Sequence, residues 1–136
     1  MSEANVDKVR KGIDAFNRRD FDEALALLSD DVTWERFLSR AEAATPAVRG
    51  KDELRAVWQS QVEAVDIRAE PEEFMAVGNR VIVPVRMVAQ GSGSEITLSS
   101  AVTWVYVFDD AGLVTKVEAF ESREDALRAA EGSLDG

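Results

Sequence analysis

Polar and apolar residues alternate most regularly from Ile96 to Glu121. Ile96, Leu98, Ser100, Val102, Trp104, Tyr106 and Phe108 fall on one face, while Thr97, Ser99, Ala101, Thr103, Val105 and Val107 take the other. A period of two in β-branched and aromatic residues predicts a strand. Asp109-Asp110-Ala111-Gly112 breaks it, with Gly supplying the left-handed position that a bulged hairpin turn needs. Leu113 to Glu121 then returns antiparallel. The pattern therefore predicts a long hairpin at the centre of a curved sheet, with the rest of the chain covering it.

Upstream, the period changes to that of a helix. Val6, Val9, Ile13 and Phe16 predict an amphipathic helix over about residues 3–18. After the turn at 17–20, Asp20 and Glu23 form a capping box, and Phe21, Ala24, Leu25 and Leu28 give a short second helix that ends at Ser29-Asp30-Asp31. Residues 32–37 read as a strand and 38–50 as a loop with a helical turn. Leu54, Val57, Trp58, Val62 and Val65 stripe a third helix over about 51–65, capped by Gly50. Residues 67–77 predict a strand weakened at Pro71, hence an edge or bulged one. Gly78-Asn79 and Gly91–Ser94 punctuate a Val-rich strand over 80–90. Ser122 and Asp125 open a last helix to about Ala130, and 131–136 fray. Helices come first and an antiparallel meander last, so the class is α+β, in one domain over residues 1–136.

Composition removes several chemistries. The chain has no His and no Cys. Ser-His-Asp triads, Cys-His dyads, disulfides and His-bearing zinc sites cannot be built, and no spacing resembles a calcium loop, so no metal or cofactor is expected. Acid–base work falls to Asp, Glu, Lys or the single Tyr. A net charge of −10 opposes nucleic acid and anionic membrane as partners. No apolar run is long enough to span a bilayer. The N-terminal MSEANVDKVRKG lacks the apolar stretch of a signal peptide, which with the absence of Cys points to the cytoplasm.

Four phrases in order, FNRRDFDEALALLSDDVTWE, RGKDELRAVW, GNRVIVPVRM and VFDDAGLVTKVEAFESREDAL, resemble the SnoaL-like family. That family belongs to the superfamily of ketosteroid isomerase, scytalone dehydratase and nuclear transport factor two. The resemblance covers nearly the whole chain. It implies a cone-shaped, cystatin-like fold in which a curved antiparallel sheet wraps the N-terminal helices and encloses an apolar pocket open at one end. It also implies a homodimer through the outer sheet face, where Thr103, Val105, Val107 and Phe120 offer an apolar surface.

Comparison with ketosteroid isomerase tests the chemistry by residue. The place of its general base is held here by Arg36, that of its oxyanion-binding Tyr by Gly12, and that of its second acid by Trp104. An Arg cannot serve as a base at neutral pH, so steroid isomerisation by that mechanism is rejected. The same comparison, together with the alternation, nominates Phe16, Trp34, Trp58, Val83, Val85, Met87, Val102, Trp104, Val117 and Ala119 as pocket wall. Three Trp suit a flat or cyclic apolar ligand, or else simply fill the cone. Arg36 and Glu121 are the polar candidates for catalysis, the first to hold a carboxylate or developing oxyanion and the second to move a proton. Glu118 falls on the opposite face, and a bulge at the hairpin turn would exchange it with Glu121. Tyr106 is expected near the rim with its hydroxyl satisfied.

Three readings stand at this stage. The chain is a SnoaL-like small-molecule binder without chemistry; or a cofactor-independent isomerase, cyclase or dehydratase acting on an apolar cyclic or polyketide-like substrate; or a homodimeric interaction module without a ligand.

Overall fold

The structure, a computed structural model, describes residues 2–37, 48–90 and 97–128. Helix α1 (Ser2–Asn17) presents Val9, Ile13 and Phe16 inward, and α2 (Phe21–Ala26) buries Phe21, Ala24 and Leu25. Asp20 caps α2, its Oδ1 accepting from the Glu23 amide at 3.2 Å, but the reciprocal half of the box does not form, because the Asp20 amide donates to the Ala15 carbonyl at 2.8 Å and Glu23 Oε2 accepts from Arg18 at 2.7 Å. Strand β1 (Leu28–Phe37) and the two-residue β2 (Val48–Arg49) lead into α3 (Lys51–Ala64). Then come β3 (Asp66–Pro71), β4 (Met75–Val77), β5 (Arg80–Gln90), β6 (Thr97–Phe108) and β7 (Val114–Phe120). A final helical segment, α4, covers 123–128. No helix among the described residues is long and apolar enough to cross a membrane.

The strands form one sheet in the order β2-β1-β7-β6-β5-β3, with β4 also on β5. Every pairing is antiparallel except β1 with β7, which is parallel. The sheet is therefore mixed rather than purely antiparallel. Strand β1 also begins earlier than the pattern predicts. Leu28, which reads as the last apolar residue of α2, pairs instead with Val114, and the Val114 amide donates to the Leu27 carbonyl at 2.9 Å. The register slips between Leu28 and Thr33, so Ser29-Asp30-Asp31 is an irregular strand opening and not a helix end. The single strand expected over 67–77 is two, separated after Pro71. Residues 38–47, 91–96 and 129–136, read above as loop, turn and helix end with tail, lie outside the described residues.

The central hairpin turns as its sequence requires. Gly112 has φ +83°, and Asp109 Oδ1 accepts from the Ala111 and Leu113 amides at 2.9 Å each. A bulge follows at Thr115, where Val107 pairs with Lys116 but Phe108 with Val114. It absorbs one residue and leaves Leu113 exposed and Val114 sealed. From Lys116 onward the alternation has the phase expected from the sequence.

Two layers cover the sheet. On the inner face Val9 and Ile13 of α1 pack on Val81, Val83, Val85 and Val117, all at most 4 % exposed. On the outer face Ala126 of α4 packs on Ile82, Val105 and Phe120. That helix takes Val105 and Phe120 out of the surface on which a second copy was expected to sit. Thr103 is also buried, and Val107 is half-buried.

Candidate functional site

Beyond the reach of α1, the inner face is not filled. A cavity of about 700 Å³ opens between α3, the C-terminal half of α1 and strands β1, β6 and β7. Ligand cavities typically run from about 300 to 1,000 Å³. Its wall is Phe16 from α1, Trp58 and Val57 from α3, Trp34 from β1, Met87 from β5, Val102, Trp104 and Tyr106 from β6, and Ala119 from β7. The exposed lining residues Gln61, Ser100, Ala101 and Glu121 mark the mouth.

Aromatic rings form a continuous train along this wall. Trp58 meets Trp34 edge-to-face with centroids 6.1 Å apart, Trp34 meets Trp104 at 5.5 Å, and Trp104 meets Tyr106 at 6.4 Å. Edge-to-face contact directs the positive rim of one ring at the negative face of the next and fixes each ring in place. All three Trp remain half-buried, because one side of each borders open space and not packed atoms.

Of the wall residues expected from the sequence, Phe16, Trp34, Trp58, Met87, Val102, Trp104 and Ala119 line the cavity. Val83, Val85 and Val117 do not. They share the inner face but are at most 1 % exposed, sealed in the core cluster to which Val9 and Ile13 of α1 and Leu25 of α2 also belong. Strand parity assigns a face and not what covers it. The helical contributors Gly12, Ile13, Leu54 and Gln61, and Ala69 of β3, were not anticipated as wall. The apolar stripe on α3 was the signal that pointed to Leu54.

Tyr106 is not at the rim. It is 5 % exposed, and no side chain among the described residues hydrogen-bonds its hydroxyl. Burial pushes the phenol well above its ordinary range, so it stays protonated.

The two candidate carboxylates part company. Glu121 follows β7 and lies exposed at the mouth. Glu118 pairs with Val105 and with Glu35 on neighbouring strands, on the outer face. Arg36 stands opposite Ala119 in β1, and its side chain lies outside the described residues. Lys116 Nζ is 3.4 Å from Glu35 Oε2, close enough to pair charges but not aligned as a hydrogen bond. Among the described residues no three acidic side chains gather as a metal cage.

Burial raises the Glu118 pKa, Glu35 adds to the shift, and Lys116 and Arg80 oppose it. The folded chain therefore holds this proton more tightly than the unfolded chain. Stability from this group is present at low pH and is lost as pH rises from the ordinary Glu value of 4.5 through the raised one. Glu118→Gln is expected to raise the thermal midpoint at pH 7, with the gap to wild type closing below about pH 4. A gap that persists in acid would assign the effect to packing.

The geometry is that of the nuclear transport factor two-like class, a curled sheet enclosing a cavity beneath helices. Within it, the sequence matches the SnoaL-like domain over residues 9–117, and the chain belongs to that family. No curated protein matches it. Among solved structures it is similar to a nuclear transport factor two-like protein of unknown function from Burkholderia pseudomallei, at 23 % identity and TM-score 0.70 over 91 % of this chain and 95 % of that one. A Mycobacterium tuberculosis protein in complex with estradiol-17β-hemisuccinate is similar at 17 % identity and TM-score 0.72, over 86 % and 92 % of the two chains. A putative polyketide cyclase from Sinorhizobium meliloti is similar at 20 % identity and TM-score 0.68, over 88 % and 98 %. Likeness at these identities concerns the fold.

Proposed function

We propose that the chain binds a flat, largely apolar small molecule in the cavity between α3 and the inner sheet face. The observation that carries this reading is the train of three Trp along a cavity of about 700 Å³ in which the described lining residues include a single charged side chain, Glu121, at the mouth. Aromatic walls with few polar groups favour planar rings by contact and desolvation. The steroid derivative held by the M. tuberculosis neighbour and the cyclase description of the S. meliloti one support it as analogy only.

A proton-transferring enzyme is the second reading, and within the described lining it would have to work through Glu121. Glu121 is exposed at the mouth and so stands apart from the apolar interior in which a proton would have to move. The binding reading is therefore the stronger one.

Fluorene, a planar tricycle, is expected to quench tryptophan emission saturably. In Trp104→Ala the affinity should fall by about tenfold or more, with cooperative unfolding retained, because the ring that contacts both Trp34 and Tyr106 is gone. No saturable quenching by fluorene or its ring-substituted analogues would sink the reading.

A further inference from the structure

Tyr106 offers a hydroxyl that the fold itself does not use. The side chain is buried in the wall. Its strand partners, Val81 and Val117, are fully buried aliphatic residues with nothing to offer a phenol. Among the described residues the one sealed polar side-chain atom without a hydrogen bond is Glu35 Oε2, on the other face. The Tyr106 hydroxyl, also without a partner there, is therefore not sealed and opens on to the cavity that the residue lines. Among the described lining residues the side-chain amide, hydroxyl and carboxylate of Gln61, Ser100 and Glu121 are exposed at the mouth, and the half-buried indole N–H groups of Trp34, Trp58 and Trp104 are the other donors.

We propose that the Tyr106 hydroxyl donates a hydrogen bond to the ligand, and that the cavity takes a neutral, flat molecule carrying a carbonyl oxygen at the end that enters first. This rests on the binding reading above. Protonation of the buried phenol makes it a donor throughout the physiological range. Neutrality of the entering end follows from the described lining residues, among which there is no Lys or Arg and the charged group is the acidic Glu121. A carboxylate driven against these residues would lose its hydration without gaining a cation from them.

The test titrates the full chain and Tyr106→Phe with fluorenone, fluorene and fluorene-9-carboxylate. Three molecules on one ring system separate shape from carbonyl and from charge. Wild type is expected to bind fluorenone about tenfold more tightly than fluorene, the worth of one buried hydrogen bond. Tyr106→Phe, which keeps the ring and its contact with Trp104, should bind both about equally. The carbonyl stretch of bound fluorenone should shift to lower wavenumber in wild type and return in the variant, a change that altered packing alone would not produce. Equal binding of fluorenone and fluorene by wild type would overturn the donor role and leave the binding reading standing. So would a ketone preference that survives Tyr106→Phe. Tighter binding of the carboxylate than of the ketone would overturn neutrality. Failure of all three probes with wild type would remove the binding reading, and this inference with it.

Discussion

Trp58→Ala is expected to lose about 3–5 kcal/mol of folding stability, the range for truncating a large aromatic in a packed setting. The size follows from what the ring joins. It meets Phe16 of α1 at 5.4 Å between centroids, Phe21 of α2 at 5.8 Å and Trp34 of β1 at 6.1 Å. On α3 itself only Leu54 is fully buried. Removing Trp58 therefore loosens α3 from α1, from α2 and from the sheet at once. One side of the ring already borders the cavity, which holds the loss toward the lower end of the range. Trp58→Phe should recover a large part of it. The midpoint of urea unfolding followed by far-ultraviolet circular dichroism reads this without relying on tryptophan emission. A loss under about 1 kcal/mol would mean that Leu54 alone docks the helix and that Trp58 is ligand surface only.

The contrast between Trp58 and Val83 shows what a sequence discloses about such a site. Both were expected in the wall on the strength of periodicity and resemblance, yet one borders open space and the other is sealed. Alternation along β5 and β6 fixes which side chains share a face, because parity is local. Whether that face meets packed side chains or a cavity depends on residues distant in the chain, and Val83, Val85 and Val117 are sealed in a core cluster drawn from α1, α2, α3 and the sheet. The same limit applies outside, where Val105 and Phe120 look like free surface until Ala126 of α4 lies over them. The parallel pairing of β1 with β7 joins segments some eighty residues apart, and no short-range signal announces it. Tyr106 was misplaced for a related reason. Its nearness to the hairpin turn suggested the rim, but the end of β6 lies against the aliphatic residues Val81 and Val117. The cap at Asp20 and the turn at Asp109 and Gly112 were legible, because these residues act through their own neighbours.

Asn17→Ala should cost about 2–4 kcal/mol, although the residue is polar and ends a helix. Strand β3 closes one end of the sheet order and so has an edge without a strand partner. Asn17 covers that edge. Its amide nitrogen donates to the Ala69 carbonyl at 2.8 Å, and its oxygen accepts from the Ala69 amide at 2.9 Å. One side-chain amide thus stands in for the peptide group of a missing strand, with both donor and acceptor matched. Arg19 extends the clasp by donating to the Ile67 carbonyl at 2.7 Å and to Asp66 Oδ1 at 3.0 Å, from a backbone at φ +66°. With Ala at position 17, two backbone groups of a residue only 1 % exposed would lie unpaired. Each is worth about 1–3 kcal/mol when buried without a partner. Asn17→Asp keeps the acceptor but turns a second oxygen toward the Ala69 carbonyl, so it should lose a comparable amount. Hydrogen exchange locates the effect, since the Ala69 amide should lose protection in Asn17→Ala well before the amides of central strand β6. Ala69 also lines the cavity, so loosening this edge should weaken fluorene binding even though Asn17 is not among the lining residues. Unchanged protection at Ala69 would mean that the edge stays closed without the Asn17 side chain, and the stability loss should then fall below about 1 kcal/mol.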